Sequence, residues 1–117
     1  MKIIDKQITN KELNKMAKNS FGNLVKAVVD VKKGIMAVDA ELHADEEAYL
    51  LENGSKQENL WGVNLYSELQ GDDFIEFDSM INLRPSQGNR SRGVDDSEIQ
   101  KKIIQIVNNL VKNEHSA

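Results

Sequence analysis

A chain of 117 residues without a cysteine is long enough to bury a core unaided, and it can hold neither a disulfide nor a cysteine metal site. Its net charge of -4 argues against binding to nucleic acid or to anionic membranes, because both depend on surplus positive charge. Its apolar runs are too short to span a membrane, and its N-terminus lacks a signal-peptide core. We therefore expect one soluble, cytoplasmic domain over residues 1–117.

Capping boxes predict a helix near each end of the chain. Thr9 and Glu12 open the first helix, which we expect over about residues 10–19. Asp95 and Glu98 open the last helix, and we expect residues 113–117 after it to fray. The buried stripe of the last helix consists of aliphatic side chains at helical spacing: Ile99, Ile103, Ile106, Val107, Leu110 and Val111.

Four segments alternate between apolar and polar residues, which is typical of half-buried strands. Residues 25–31 and 36–42 form a predicted β-hairpin around a turn at Gly34. The third strand covers residues 60–66, and the fourth covers residues 74–84 and ends at Pro85. Between the hairpin and the third strand, the stretch from His43 to Gly54 has the acids and the final glycine of a short helix.

This order of elements predicts an α+β fold. We expect a mostly antiparallel four-stranded sheet, with the N- and C-terminal helices packed on its apolar face and a possible short middle helix. The alternation predicts a second face that is polar and solvated, carrying Lys26, Asp30, Asp39, Glu41, Asn64, Glu76, Asp78, Asn82 and Arg84.

The polar stretch of residues 79–92 is the leading candidate for a functional site. It contains three arginines and no acid, whereas residues 39–52 contain six acids and no lysine or arginine. Arginine presents a planar fork of donors that suits carboxylates and phosphates, and Gly88 and Gly93 would let backbone N–H groups approach a ligand. The predicted ligand-binding residues are Arg84, Ser86, Gln87, Asn89, Arg90, Ser91 and Arg92.

Glu41, His43 and Asp78 are secondary candidates. His43 could act as an acid or base, with Glu41 or Asp78 orienting it, and nearby serines could act as nucleophiles. Glu41, His43 and Asp45 could face one side of an extended segment and hold a divalent cation, but a helix starting near Ala44 would turn Asp45 away. We therefore predict no catalytic residue, no metal and no cofactor.

The chain also resembles a family of small prokaryotic domains of unknown function. The resemblance is carried by residues 41–45, 54–62 and 79–91, and residues 82–91 are its most specific part. It extends from about Ile8 to the final helix. It implies a self-contained domain and assigns no activity, cofactor or catalytic residue.

These observations favour a small binding domain that holds an anionic small molecule, or an acidic segment of a partner, through Arg84, Arg90 and Arg92. A second hypothesis is a structural or homo-oligomeric role, in which the same arginines pair with the protein's own acids or with a second copy of the chain. An enzyme acting on a phosphorylated or carboxylated metabolite is the third hypothesis.

Overall fold

A computed structural model describes residues 1–112, and within them the predicted α+β fold is confirmed. The described helices are α1 (Asn10–Lys18), α2 (His43–Glu52) and α3 (Ser97–Leu110). The expected fraying of residues 113–117 lies outside the described part of the chain. None of the helices within residues 1–112 is long and apolar enough to cross a membrane.

The main sheet has five strands in the described residues, one more than predicted. Its order is β1-β4-β3-β5-β6, and every neighbouring pair is antiparallel. The additional strand, β1, is too short for its alternation to be recognised in the sequence. Strands β2 and β7 form a separate parallel pair. The strands are β1 (Lys2–Ile4), β2 (Ile8–Thr9), β3 (Val25–Asp30), β4 (Ile35–Val38), β5 (Leu60–Leu65), β6 (Ile75–Glu76) and β7 (Val111–Lys112).

The predicted hairpin is confirmed as the antiparallel pair of β3 and β4. The turn between these strands is held by the buried carboxylate of Asp30, whose Oδ1 accepts the backbone N–H groups of Lys32 and Lys33 at 2.9 Å each. Gly34 has a φ of 70°, as expected of a turn glycine. A side chain therefore supplies partners for two turn N–H groups that the strands cannot satisfy.

Strand β4 ends at Val38, whereas the alternation predicts a strand that continues to Leu42. Asp39 has a φ of 70°, a left-handed conformation that interrupts an extended strand. The chain turns away from the sheet at this point, and α2 begins soon afterwards. Leu42, which the alternation places on the apolar face, is consequently 55% exposed.

Helices α1 and α3 pack on one face of the sheet, as predicted, and enclose the main core with Trp61 of β5. The prediction that the second face is polar and solvated is wrong. Helix α2 covers part of it, and a second apolar cluster lies there: Val28, Ala37, Leu50 and Leu60. Three polar residues assigned to this face by alternation are also buried: Asp30, Asn64 and Asn82.

The predicted strand over residues 74–84 is reduced to Ile75–Glu76, and 3₁₀ turns follow at Met80–Asn82 and Pro85–Gln87. Beyond β6, the outer edge of β5 is paired with a side chain. The Asn82 Oδ1 accepts the N–H of Gly62 at 2.9 Å, and the Asn82 Nδ2 donates to the carbonyl of Gly62 at 3.0 Å. One amide side chain thus reproduces the two hydrogen bonds that a neighbouring strand would make.

Replacing Gly62 by alanine should destabilise this edge. An added Cβ would lie 2.6 Å from both Cβ and Oγ of Ser79, which is far inside van der Waals contact. We expect the free energy of unfolding to fall by about 1–3 kcal/mol, the usual cost of overpacking, in urea denaturation. Adding Ser79→Gly should recover part of the loss, whereas a Gly62→Ala protein as stable as the wild type would contradict this packing.

Candidate functional site

Arg84, one of the predicted ligand-binding residues, donates hydrogen bonds to the sheet and to the turn that precedes β5. Its Nη1 donates to the carbonyl of Gln57 at 2.5 Å, and its Nη2 donates to the carbonyl of Leu60 on the outer edge of β5. The guanidinium carbon lies 4.1 Å from the centre of the Trp61 ring, within the range of a cation–π contact. Burial lowers the pKa of Arg84. The Nη atoms of Arg84 therefore bind peptide carbonyls. Arg84 and Asn82 together supply hydrogen bonds to the outer edge of β5.

Asn89 is buried and ties the loop of residues 84–95 together. Its Nδ2 lies 2.7 Å from the carbonyl oxygen of Asn82, 3.1 Å from that of Ser91 and 2.9 Å from that of Gly93. Its Oδ1 accepts the N–H of Asp95 at 2.8 Å. Both ends of the Asn89 amide are thus engaged with the backbone, so this side chain fixes the shape of the loop.

Gln87 and Ser91 also bond within the protein. Gln87 Nε2 donates to the carbonyl of Glu58 at 2.8 Å. Ser91 Oγ donates to Asp95 Oδ1 at 2.5 Å, and this bond lowers the pKa of the Asp95 carboxyl. Ser86 is exposed, and its side chain makes no hydrogen bond within residues 1–112. Among the predicted ligand-binding serine, asparagine and glutamine residues, Ser86 is therefore the one whose side chain is exposed and makes no hydrogen bond to the described residues.

Arg90 and Arg92 project from the loop into solvent. The Arg90 side chain makes no hydrogen bond to the described residues, although its backbone N–H donates to Asp95 Oδ2 at 2.8 Å. Arg92 Nε donates to Asp78 Oδ1 at 2.7 Å, and both side chains are about half exposed, 55% for Arg92 and 44% for Asp78. Within residues 1–112, Nη1 and Nη2 of Arg92 make no hydrogen bond.

Two hydrogen bonds hold the backbone of Arg92. Its carbonyl oxygen accepts the N–H of Ser79 at 2.9 Å and the Nδ2 of Asn82 at 2.9 Å. The same Asn82 amide is bonded to β5, so the loop and the sheet share one anchor. A ligand that binds Arg92 would meet a loop that is already ordered, which lowers the entropy cost of binding.

His43, the first residue of α2, is buried, and α2 contacts the 3₁₀ turn at Met80–Asn82. Its Nε2 lies 2.8 Å from the carbonyl oxygen of Val63, so Nε2 carries the hydrogen and Nδ1 is the acceptor in the neutral ring. Burial lowers the pKa of His43, and the hydrogen bond with Val63 opposes this shift. The charges of Lys26 and Arg92 lower the pKa further, and the charge of Asp78 raises it. Three charges that lie far from His43 in the sequence therefore act on its ring.

Asn64 is buried on β5, and it follows Val63, whose carbonyl oxygen contacts His43. Its Nδ2 donates to Glu76 Oε1 at 2.9 Å, and Tyr66 donates its hydroxyl to the same oxygen at 3.0 Å. Asn64 Oδ1 is buried and has no hydrogen-bond partner within residues 1–112. We call Lys26, His43, Asn64, Asp78 and Arg92 the Arg92 patch. No motif in the sequence marks Lys26 or Asn64 as a site residue. The signal for Asn64 is an amide inside an otherwise apolar strand.

Glu41 is exposed in the segment before α2, and its side chain makes no hydrogen bond within residues 1–112. Asp45 lies in the first turn of α2. The described residues contain no group of three or more histidine or acidic side chains placed to hold a metal ion. Glu41 and Asp45 are therefore not brought together with His43 as a set of metal ligands.

Comparison with known proteins identifies a family and no function. Neither the curated proteins nor the solved structures include a match to this chain. A family model described as a protein of unknown function, DUF5674, matches residues 2–110, which is nearly the whole chain. The resemblance to an uncharacterised family of small domains is thus confirmed. The chain belongs to the DUF5674 family of proteins of unknown function.

Proposed function

We propose that this chain is a small binding domain that holds an anionic small molecule, with a carboxylate as the recognised group, at the Arg92 patch. The observation that carries the proposal is the way in which Arg92 is held. Asp78 engages only Nε, at 2.7 Å, so the guanidinium is oriented while Nη1 and Nη2 remain available for a two-point contact with a carboxylate.

His43 is the second element of the proposed site, because the charge of Arg92 acts on its ring. A ring whose Nε2 donates to the carbonyl of Val63 offers Nδ1 as an acceptor, and its lowered pKa keeps the ring neutral at pH 7. A neutral acceptor within electrostatic range of an arginine fork suits a ligand whose carboxylate is accompanied by a hydroxyl group. Lys26 adds a second positive charge near His43, which favours an anion.

The residues of the predicted loop then take two different roles. We propose Arg92, with Arg90 as its exposed neighbour, as the ligand-binding part. Arg84, Gln87 and Asn89 form the scaffold that orders the loop, since their polar groups contact backbone carbonyls. The sequence predicts a site that uses Arg84, Arg90 and Arg92, whereas the site proposed here is centred on Arg92.

The proposal predicts that Arg92→Gln weakens binding of L-malate, a hydroxyl-bearing dicarboxylate, by about tenfold or more in calorimetric titration at low salt. The expected loss corresponds to a charge-assisted two-point contact of about 1.5–3 kcal/mol. Arg92→Lys should restore little of it, because an ammonium group cannot present a planar fork.

Lys101→Gln is the matched control, because it removes one exposed positive charge from α3 and leaves the Arg92 patch intact. Its affinity for L-malate should equal that of the wild type. Equal losses in the Arg92 and Lys101 variants would indicate general charge attraction only. Unchanged affinity in Arg92→Gln would refute the site.

The structural or homo-oligomeric alternative is favoured by one observation at Arg84. The charge of Glu47, one of the acids in residues 39–52, raises the pKa of Arg84 against the effect of burial, so an acid of this segment acts on an arginine of the loop. In this alternative, substitution of the arginines lowers the melting temperature or dissociates an oligomer in the absence of ligand. Sedimentation of the Arg92→Gln protein would separate this outcome from a simple loss of ligand.

A further inference from the structure

A large cleft lies on the opposite side of the molecule from α2. It runs between the first turns of α1, the exposed side of α3 and the segment of residues 67–77, and its volume is about 1000 Å³. This volume is at the upper end of the range for small-molecule sites, roughly 300–1,000 Å³. None of the residues of the Arg92 patch lines the cleft, so it is a separate candidate site.

The base of the cleft is apolar. Phe74 and Ile75 form part of its wall at the edge of the main core, and Phe77 is half-buried beside them. Leu69 and Ile104 also line the cleft, and they remain 47% and 38% exposed. An apolar group that entered the cleft would cover these side chains and remove them from water.

The rim is polar and carries several neutral amides. Asn14 and Gln100 are already engaged, the former accepting from Ser67 Oγ at 2.8 Å and the latter donating to the carbonyl of Val94 at 2.6 Å. Three further amide side chains line the cleft and make no hydrogen bond within residues 1–112: Asn10, Gln70 and Asn108. They can both donate to and accept from a ligand.

The charge of the cleft selects the class of ligand. Glu68 and Asp72 are the ionisable side chains that line it, and its described lining contains no lysine or arginine. Both acids are exposed, and neither forms an ion pair within residues 1–112. The cleft therefore presents two uncompensated negative charges next to an apolar base that includes two aromatic rings. Such a combination attracts a cation with an apolar body and repels an anion.

We propose that this cleft binds an organic ammonium ion that carries an aromatic or branched apolar group. The apolar group packs against Phe74, Phe77 and Ile104, and the ammonium group lies near Glu68 and Asp72. The amide rim supplies hydrogen-bond partners for further polar atoms of the ligand. This site is independent of the anion site proposed at Arg92.

The test uses three probes of similar size in NMR titrations of the ¹⁵N-labelled protein: 2-phenylethylamine, 2-phenylethanol and 3-phenylpropanoate. The amine should shift the amide signals of residues 67–77 and bind more tightly than the alcohol, while the anion should bind most weakly. The double variant Glu68→Gln/Asp72→Asn should weaken amine binding by about three- to tenfold, as expected for two exposed charges.

The matched control is Glu41→Gln/Glu52→Gln, which makes the same change in net charge at two exposed acids outside the cleft. It should leave amine binding unchanged, as should Arg92→Gln, so that failure of this site and failure of the anion site can be told apart. Equal affinities for the three probes, equal effects of the two double variants, or no shift in residues 67–77 would each overturn the proposal.

Discussion

Asn82→Ala is expected to lower the free energy of unfolding by about 3 kcal/mol or more, measured by urea denaturation. The buried Asn82 amide satisfies the N–H and the carbonyl of Gly62 and the carbonyl of Arg92. Each buried backbone group left without a partner costs on the order of 1–3 kcal/mol. The effect should be larger than that of removing an ordinary hydrogen bond, because the N–H and the carbonyl of Gly62 lose their partner together, while the carbonyl of Arg92 loses one of its two donors and keeps the N–H of Ser79.

Asn53→Ala provides the matched comparison. The Asn53 Nδ2 donates one exposed hydrogen bond to the carbonyl of Tyr49 at 2.8 Å, so its removal should cost no more than about 1 kcal/mol. If the two variants were equally stable, the pairing of the β5 edge by Asn82 would have no energetic importance. Because Asn82 also holds the backbone of Arg92, its loss should in addition weaken binding at the Arg92 patch.

The second large effect concerns the pH dependence of stability. Glu46, on the buried side of α2, is fully shielded from solvent, and burial raises its pKa from an ordinary value of 4.5 to about 9, although the hydrogen bond from Ala40 opposes the shift. Between these values the folded state holds a proton that the unfolded state has released. The stabilising contribution is therefore fully present below about pH 4.5 and is lost as the pH rises towards 9.

Glu46→Gln should abolish this dependence, since its side chain has nearly the same shape and no proton to lose. The wild type should lose about 1.4 kcal/mol per pH unit in that window relative to the variant, or on the order of 3 kcal/mol between pH 4.5 and pH 7. Urea denaturation at pH 5, 7 and 8.5 measures the difference. The test is the slope of stability against pH. The absolute stability of the variant is not compared, because the new amide places an N–H₂ group where Glu46 Oε1 is buried without a partner within residues 1–112.

Glu52→Gln, at an exposed position of the same helix, is the control for the pH experiment. Its stability should follow that of the wild type across the whole range. Parallel curves for the wild type and the Glu46 variant would mean that Glu46 titrates as an ordinary exposed carboxyl, in contradiction to its burial.

Local patterns in the sequence predict those structural features in which a residue contacts its own neighbours in the chain. Thr9 caps α1 as predicted, accepting the N–H of Glu12 at 3.0 Å. The cap of α3 is Asp96 where the sequence indicates Asp95, because the Asp95 carboxylate is engaged by the N–H of Arg90 and by Ser91. Alternation also identified β3 and β5, whose apolar faces are buried in the main core.

The alternation of apolar and polar residues predicts a strand beyond β6 that the structure does not contain, because side chains take the place of a strand there. Residues 74–84 have the pattern of a strand, but the edge of β5 is completed by the amide of Asn82 and the guanidinium of Arg84. A pattern of polarity cannot distinguish an arginine that binds a ligand from one that binds carbonyls, because both need the same donors. The effect of the Arg92 charge on His43 depends on the path of the chain over the sheet, which no local signal encodes.

The most direct test of the proposed anion site is ¹⁵N NMR of the arginine side chains during titration with L-malate. We predict that the Nη signals of Arg92 shift and that rotation about its Cζ–Nε bond slows, while its Nε signal changes little because Asp78 already holds this nitrogen. The signals of Arg84 should remain unchanged. Shifts at Arg84, or the absence of any shift at Arg92 at saturating malate, would contradict the account.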